Sequence, residues 1–147
     1  MTRVIAANKL ALCINEAYPG KAIDWNDTDV WIDPQDLQAV ARLLKKETGM
    51  DLATLTSISA VDYVEYFELV YHLLSMRKNQ RAVVKIRTYG REKPTIPSVT
   101  DIWQGADLQE REIWDLMGIH FEGHPNMRRI LLWEGFAGHP LRKDFLR

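Results

Sequence analysis

The ten residues FELVYHLLSM, Phe67–Met76, restrict the fold more than any other stretch. They are apolar on both alternating faces apart from Glu68, His72 and Ser75, which is the pattern of a central strand. A central strand needs neighbours, because its backbone N–H and C=O groups must be paired on both edges. Leu55–Val64 reads as one neighbour. Arg81–Tyr89 reads as the other, with Ala82, Val84, Ile86 and Thr88 on one face and Arg81, Lys85 and Arg87 on the opposite face. Arg77-Lys78-Asn79-Gln80 is short enough to make the last two strands a hairpin.

Helical patterns flank this sheet. From Val4 to Tyr18, apolar residues recur at Ala6, Leu10, Cys13, Ile14 and Ala17 until Pro19-Gly20 stops the pattern, and Cys13 falls on its apolar stripe. KAIDW and DVWID are two short strands separated by Asn26-Asp27. Asp33 then caps a helix with Pro34 at its first position and Leu37, Val40, Ala41 and Leu44 facing inward, ended by Gly49. Asp107-Leu108-Gln109-Glu110 fits a capping box for a third helix that runs to Met117 and stops at Gly118. The order helix, two strands, helix, three strands, helix predicts an α+β domain: a two-layer α/β sandwich with a mostly antiparallel or mixed sheet and helices on one side.

Past Gly118 the periodicity is lost. Gly123, Pro125, Gly135, Gly138 and Pro140 interrupt the chain, and only Arg129–Trp133 suits a brief strand. The expected division is therefore a globular domain over 1–118 and an extended C-terminal strap over 119–147, laid on a partner or loose.

Composition narrows the function classes. With 19 basic and 20 acidic side chains the formal charge is −1, so no global field gathers nucleic acid or anionic lipid. The single cysteine, Cys13, excludes an intrachain disulfide and a cluster ligated by this chain's thiolates alone. No apolar run approaches the roughly 20 residues of a membrane span. The N-terminus is too interrupted by Asn, Lys and Glu for a signal peptide, so a cytosolic location, or one on the cytosolic face of something larger, is expected.

Three kinds of chemistry compete in the tail and the helix before it. His120, His124, His139 and Glu122 are candidate metal ligands for a free-standing metal-dependent hydrolase, but the glycines and Pro125 break the helix that a zinc pair at four-residue spacing requires. Glu110, Glu112 and Asp115 are candidate acid–base carboxylates, weighed against a ladder of surface ion pairs with Arg111, which lies four residues from both Asp107 and Asp115. Arg128-Arg129 and Arg142-Lys143, with Trp133 and Phe136 between them, suit phosphate and base contacts, and suit the anchors of a protein–protein interface equally well.

Residues 110–119, Glu-Arg-Glu-Ile-Trp-Asp-Leu-Met-Gly-Ile, lead into Phe121-Glu122-Gly123-His124-Pro125-Asn126-Met127-Arg128-Arg129-Ile130-Leu131. This run resembles the signature of the 30 kDa subunit family of respiratory complex I, which takes in both the mitochondrial protein and its bacterial counterpart. The likeness extends to Val61-Asp62-Tyr63, Tyr71–Ser75, Pro97–Trp103 and Gly138–Phe145, covering roughly residues 22–145. The resemblance implies a non-catalytic structural and assembly subunit of the peripheral arm of a proton-translocating NADH:quinone oxidoreductase. Such a protein has no catalytic residue, cofactor or metal of its own, while FMN, iron–sulfur clusters, NADH and quinone sit on other subunits. It implies packing on the quinone-site subunit and neighbouring iron–sulfur subunits, with no nucleic acid and no membrane span, at the cytoplasmic face of the cell inner membrane. The expected partner-binding residues are Glu110, Arg111, Glu112, Asp115, His124, Arg128, Arg129, Trp133, Phe136, His139, Arg142 and Lys143. The equivalent subunit of a related membrane-bound hydrogenase is the second reading.

Overall fold

A computed structural model describes residues 1–47 and 49–146. In chain order the elements are β1 (Arg3–Val4), α1 (Ala7–Ala17), β2 (Ala22–Trp25), β3 (Asp29–Ile32), α2 (Leu37–Arg42), β4 (Thr54–Asp62), β5 (Tyr66–Ser75), β6 (Gln80–Tyr89), β7 (Thr95–Pro97), α3 (Ala106–Met117) and β8 (His120–Glu122). The main sheet runs β2-β3-β6-β5-β4, with β1 also lying beside β6. It is mixed: β4, β5 and β6 form an antiparallel meander, while β3 pairs parallel with β6. The α+β architecture expected from the sequence is therefore the one observed.

FELVYHLLSM is central by position, with Tyr71 opposite Ile58 on one side and Val84 on the other. Its Phe67, Leu69, Tyr71 and Leu73 enter a single core with Leu10 and Ile14 of α1, Val40 and Ala41 of α2, and Ile113 and Met117 of α3. Removing each large apolar side chain from water is worth about 1.5–3 kcal/mol, so this shared layer is what fixes the helices on the sheet. Among the described residues the opposite face carries no helix. There Val70 and Leu74 are half-buried, His72 is exposed, and Glu68 is buried beside Lys85 and Arg87. His72 is thus a residue of the open face of a central strand.

Several local readings change. The first helix begins at Ala7, because Arg3 N–H and Ile5 N–H are drawn to the carbonyls of Asn79 and Arg81 and the chain enters extended. Asp33 caps as expected by accepting from Gln35 N–H at 2.9 Å, but the first turn is a 3₁₀ turn and the last, Leu43–Glu47, widens to a π turn. The loop GREKPTIPS contains β7, which pairs parallel with β8 and draws Thr95–Pro97 alongside His120–Glu122. No capping box forms at α3. The helix starts one residue before Asp107, and Glu110 is turned into the protein instead of reaching back to the backbone.

Candidate functional site

The junction between α3 and the segment after it concentrates the polar chemistry of the chain. Asp115 is completely buried. One carboxylate oxygen accepts from the backbone N–H groups of Ile130, Leu131 and Leu132 at 3.2, 2.8 and 2.9 Å. The other accepts from Arg129 Nη1 at 2.8 Å. Burial by itself would raise the pKa of this acid, but the Arg129 hydrogen bond and the three N–H groups outweigh it and hold the carboxyl at about 2. The residues expected to form a brief strand, Arg129–Trp133, instead curl around a carboxylate.

Arg129 completes the staple. Its guanidinium also donates to Asp115 O at 3.0 Å, Phe136 O at 2.7 Å and Gly138 O at 2.9 Å, and lies over the rings of Trp114 and Phe136. Such a planar fork can satisfy several fixed acceptors at once, as a lysine could not. Arg111 does not form the surface ladder with Asp107 and Asp115. It donates to the carbonyls of Arg128 and Arg129 at 3.1 and 2.9 Å, while the cation paired with Asp115 is Arg129.

Glu110 is the second fully buried carboxylate. It accepts from Ser98 Oγ at 2.7 Å and Val99 N–H at 2.8 Å, tying α3 to the loop after β7. Burial pushes its carboxyl above the ordinary value, against the lowering effect of those donors. Glu112, two residues on, is exposed. Both turn-forming histidines bond carbonyls. His124 Nε2 donates to Asp107 O at 3.0 Å, while its Nδ1 accepts from Asn126 N–H. His139 Nδ1 donates to Asp115 O at 2.9 Å, with its ring edge-on to Trp114. Each is committed to holding a Gly-His-Pro turn. Among the described residues no three His, Cys, Asp or Glu side chains gather to hold a metal ion.

The end of the segment is fastened at a third point. Asp62 makes a two-pronged pair with Arg91 at 2.9 and 2.7 Å and accepts from Lys143 N–H at 2.9 Å. Arg91 also reaches Asp144 at 3.0 Å, and Arg142 donates to Arg91 O. The hydrogen bond from Arg91 holds the Asp62 carboxyl well below the usual carboxylate range. Neither Arg91 nor Asp62 is among the expected site residues, although a signal exists: Asp62 falls in step with Ile58 and Ala60 on the inward face of β4. A carboxylate there demands a cation.

The expected partner-binding residues therefore separate into two sets. Glu110, Asp115, Arg129, His124, His139, Arg111 and Arg142 are committed within the chain, and Phe136 stacks on Phe145 beneath the Arg129 guanidinium. Glu112, Arg128, Trp133 and Lys143 face outward. With them stand apolar side chains that no sequence pattern singles out: Leu131 is 62% and Leu141 58% exposed, beside Trp133 at 69%. Residues 123–146 form a strap lying on the chain's own body, pinned at Asp115 and Asp62, whose outer surface sets exposed apolar side chains among charged ones. Gly118 lets it turn back: its φ is 74°, and a Cβ there would sit 2.7 Å from His139 Cδ2. Gly118→Ala should therefore destabilise the chain by about 2 kcal/mol or more, read as a fall in thermal midpoint. An unchanged midpoint would mean the His139 turn is not fixed against α3.

Comparison with known proteins gives a consistent family assignment. Residues 30–147 match the family model described as "Respiratory-chain NADH dehydrogenase, 30 Kd subunit". The chain is 43% identical over 147 residues to an NADH-quinone oxidoreductase subunit of Chelativorans sp. (strain BNC1), covering 95% of this chain and 72% of the relative. It is 42% identical over 125 residues to the mitochondrial NADH-ubiquinone oxidoreductase 30.4 kDa subunit of Neurospora crassa, covering 82% of this chain but only 44% of the relative. Among solved structures it resembles a chain of the membrane-bound sulfane sulfur reductase, an archaeal respiratory membrane complex, with a TM-score of 0.78 at 26% identity, covering 95% of this chain and 85% of that one. It also resembles a trypsin-resistant fragment of Nqo5, with a TM-score of 0.55 at 31% identity, covering 70% of this chain and 86% of the fragment.

Proposed function

The chain belongs to the 30 kDa subunit family of respiratory-chain NADH dehydrogenase, and from that membership we propose that it is a non-catalytic structural and assembly subunit of the peripheral arm of a proton-translocating NADH:quinone oxidoreductase. In this reading it packs on the quinone-site subunit and its iron–sulfur neighbours at the cytoplasmic face of the membrane, while FMN, the clusters, NADH and quinone stay on other subunits. The observation that carries it is the strap. Its buried polar groups are consumed internally, and its outer surface presents Leu131, Trp133 and Leu141 to solvent. Large apolar and aromatic side chains held out on a pinned backbone are what an interface uses as anchors, because little ordering entropy remains to be lost on binding. No helix of the described chain is long and apolar enough to cross a membrane, so attachment would run through partner subunits.

The test is affinity purification of the tagged chain from gently solubilised membranes, with mass spectrometry of the recovered subunits. The wild-type chain should bring the quinone-site and iron–sulfur subunits. Trp133→Ala should cut that recovery about tenfold while lowering the thermal midpoint of the isolated chain less than Gly118→Ala does, because it loses only an edge-on contact with Phe136. Recovery of the wild-type chain alone would refute the assembly role. The structural likeness to the archaeal respiratory complex supports a second reading, the equivalent subunit of a related membrane complex such as a membrane-bound hydrogenase. Co-purifying NADH-oxidising flavin subunits would select the first, and a nickel–iron pair the second.

A further inference from the structure

All three helices and the strap lie on one side of the main sheet, and one end of the bare side is built from rings and guanidinium. Arg87 lies over the rings of Trp31 and Tyr66 at 5.4 and 4.9 Å, and Tyr66 packs on both Tyr63 and Tyr89. Trp31 Nε1 donates to Glu68 at 3.1 Å, which fixes the indole against the sheet. Beside this row, Ile23, Trp31, Pro34, Arg87 and Tyr89 border an open cleft of about 250 Å³. Ile23 is 61% and Tyr89 68% exposed.

We propose that this cleft and aromatic row form a second docking surface, which receives an extended, basic segment of a neighbouring polypeptide in the assembly. The inference rests on the assembly reading above, but on none of the strap's residues. Charge selects the occupant. Lys85 and Arg87 are already paired with Asp29 and Glu68, at 2.7 and 2.9 Å, so this end of the face offers no surplus cation to a phosphate, a nucleic acid or an anionic lipid. The acids at the cleft's rim are different. Among the described residues, Asp24 and Asp33 accept only from the backbone N–H groups of Trp25 and Gln35. The unspent charge at the cleft is therefore negative, and it favours a lysine or arginine of the incoming chain. Size agrees: the cleft is smaller than the roughly 300–1,000 Å³ usual for cofactor and small-molecule sites, and suits one or two side chains. Tryptophan, tyrosine and arginine are also the residue types that dominate binding at protein interfaces.

The neighbouring corner supports the same use. Val64, at the tip between β4 and β5, is a β-branched residue at φ 73° and is 55% exposed. It is held there by Asp62, which accepts from its N–H, and by Arg91, which donates to its carbonyl. Folding alone does not require an exposed apolar residue to be kept in so unfavourable a conformation.

The experiment replaces Tyr89 with the photoreactive residue p-benzoylphenylalanine in the full chain, within the purified complex. A control carries the same residue at Leu12, which is 61% exposed on α1. Illumination should join position 89 to a segment of another subunit that contains lysine or arginine, and leave position 12 unlinked. In a competition for incorporation against the wild-type chain, Asp24→Lys should be outcompeted about tenfold at low salt, less so at high salt, with the isolated chain's thermal midpoint unchanged. Lipid adducts only at position 89, linkage to an acidic segment, or full incorporation of Asp24→Lys would overturn the proposal. If the chain co-purifies with its partners and position 89 stays unlinked, this inference fails alone. If the wild-type chain is recovered without partners, the assembly reading fails with it.

Discussion

Asp115→Ala should cost the folded chain about 3–5 kcal/mol, because it leaves a half-buried guanidinium without its counter-charge and three backbone N–H groups without their acceptor. The loss should be felt first in the strap. Amide exchange at Ile130, Leu131 and Leu132 should rise toward the unprotected rate, while that of the paired β5 and β6 amides changes far less. The wild-type chain should show the same event with acid. With its carboxyl held at about 2, below the ordinary 3.8, Asp115 contributes stability that is present above pH 3.8 and lost as pH falls through 2. For this buried group the contribution is about 2 kcal/mol. Asp62, also held low, titrates in the same direction, so both pins of the strap weaken together in acid. Persistent protection of residues 130–132 in Asp115→Ala, or strap release that ignores pH below 4, would show that the staple does not hold the segment.

The legible parts of this protein are those whose physics is local. The central strand, its hairpin partner and the capped second helix follow from alternation, from a short turn and from Asp33-Pro34, all within a few residues of one another. The site is legible only in part. Its residue types are visible in the sequence, and the histidines of the Gly-His-Pro turns bond carbonyls, as histidines before a proline turn commonly do. The direction in which α3 points its charges is not visible there. Asp107, Arg111 and Asp115 at four-residue spacing look like a solvent-facing ladder, and only the return of the strap makes Asp115 an interior group. Glu110 misleads in the same way: a capping box and a buried acceptor share one sequence pattern until Ser98 and Val99 are known to lie opposite. The Asp62–Arg91 pair spans 29 residues, a distance at which spacing says nothing.

Glu110→Ala is the second change expected to have a large effect, about 2–4 kcal/mol, because it strands Val99 N–H and one bond of Ser98 Oγ in the interior. Ser98 retains a bond with Thr100, which keeps the figure below that for Asp115. The informative variant is Glu110→Gln, because its dependence on pH runs opposite to that of Asp115. Burial raises the Glu110 carboxyl above its ordinary 4.5, so its stabilising contribution is complete below pH 4.5 and is lost as pH rises through the folded-state value. Gln mimics the neutral acid in shape and carries no desolvation cost of ionisation, yet it offers only one acceptor to two donors. The variant should therefore be less stable than wild type at pH 4, and the gap should narrow toward pH 8 as wild type takes on a buried charge. Urea unfolding of both chains at the two pH values measures this directly. A gap that widens with pH would mean that the ionised carboxylate is the better fit to Ser98 and Val99. The signature's first glutamate would then be a charged anchor like Asp115, not a neutral plug between α3 and the loop it closes.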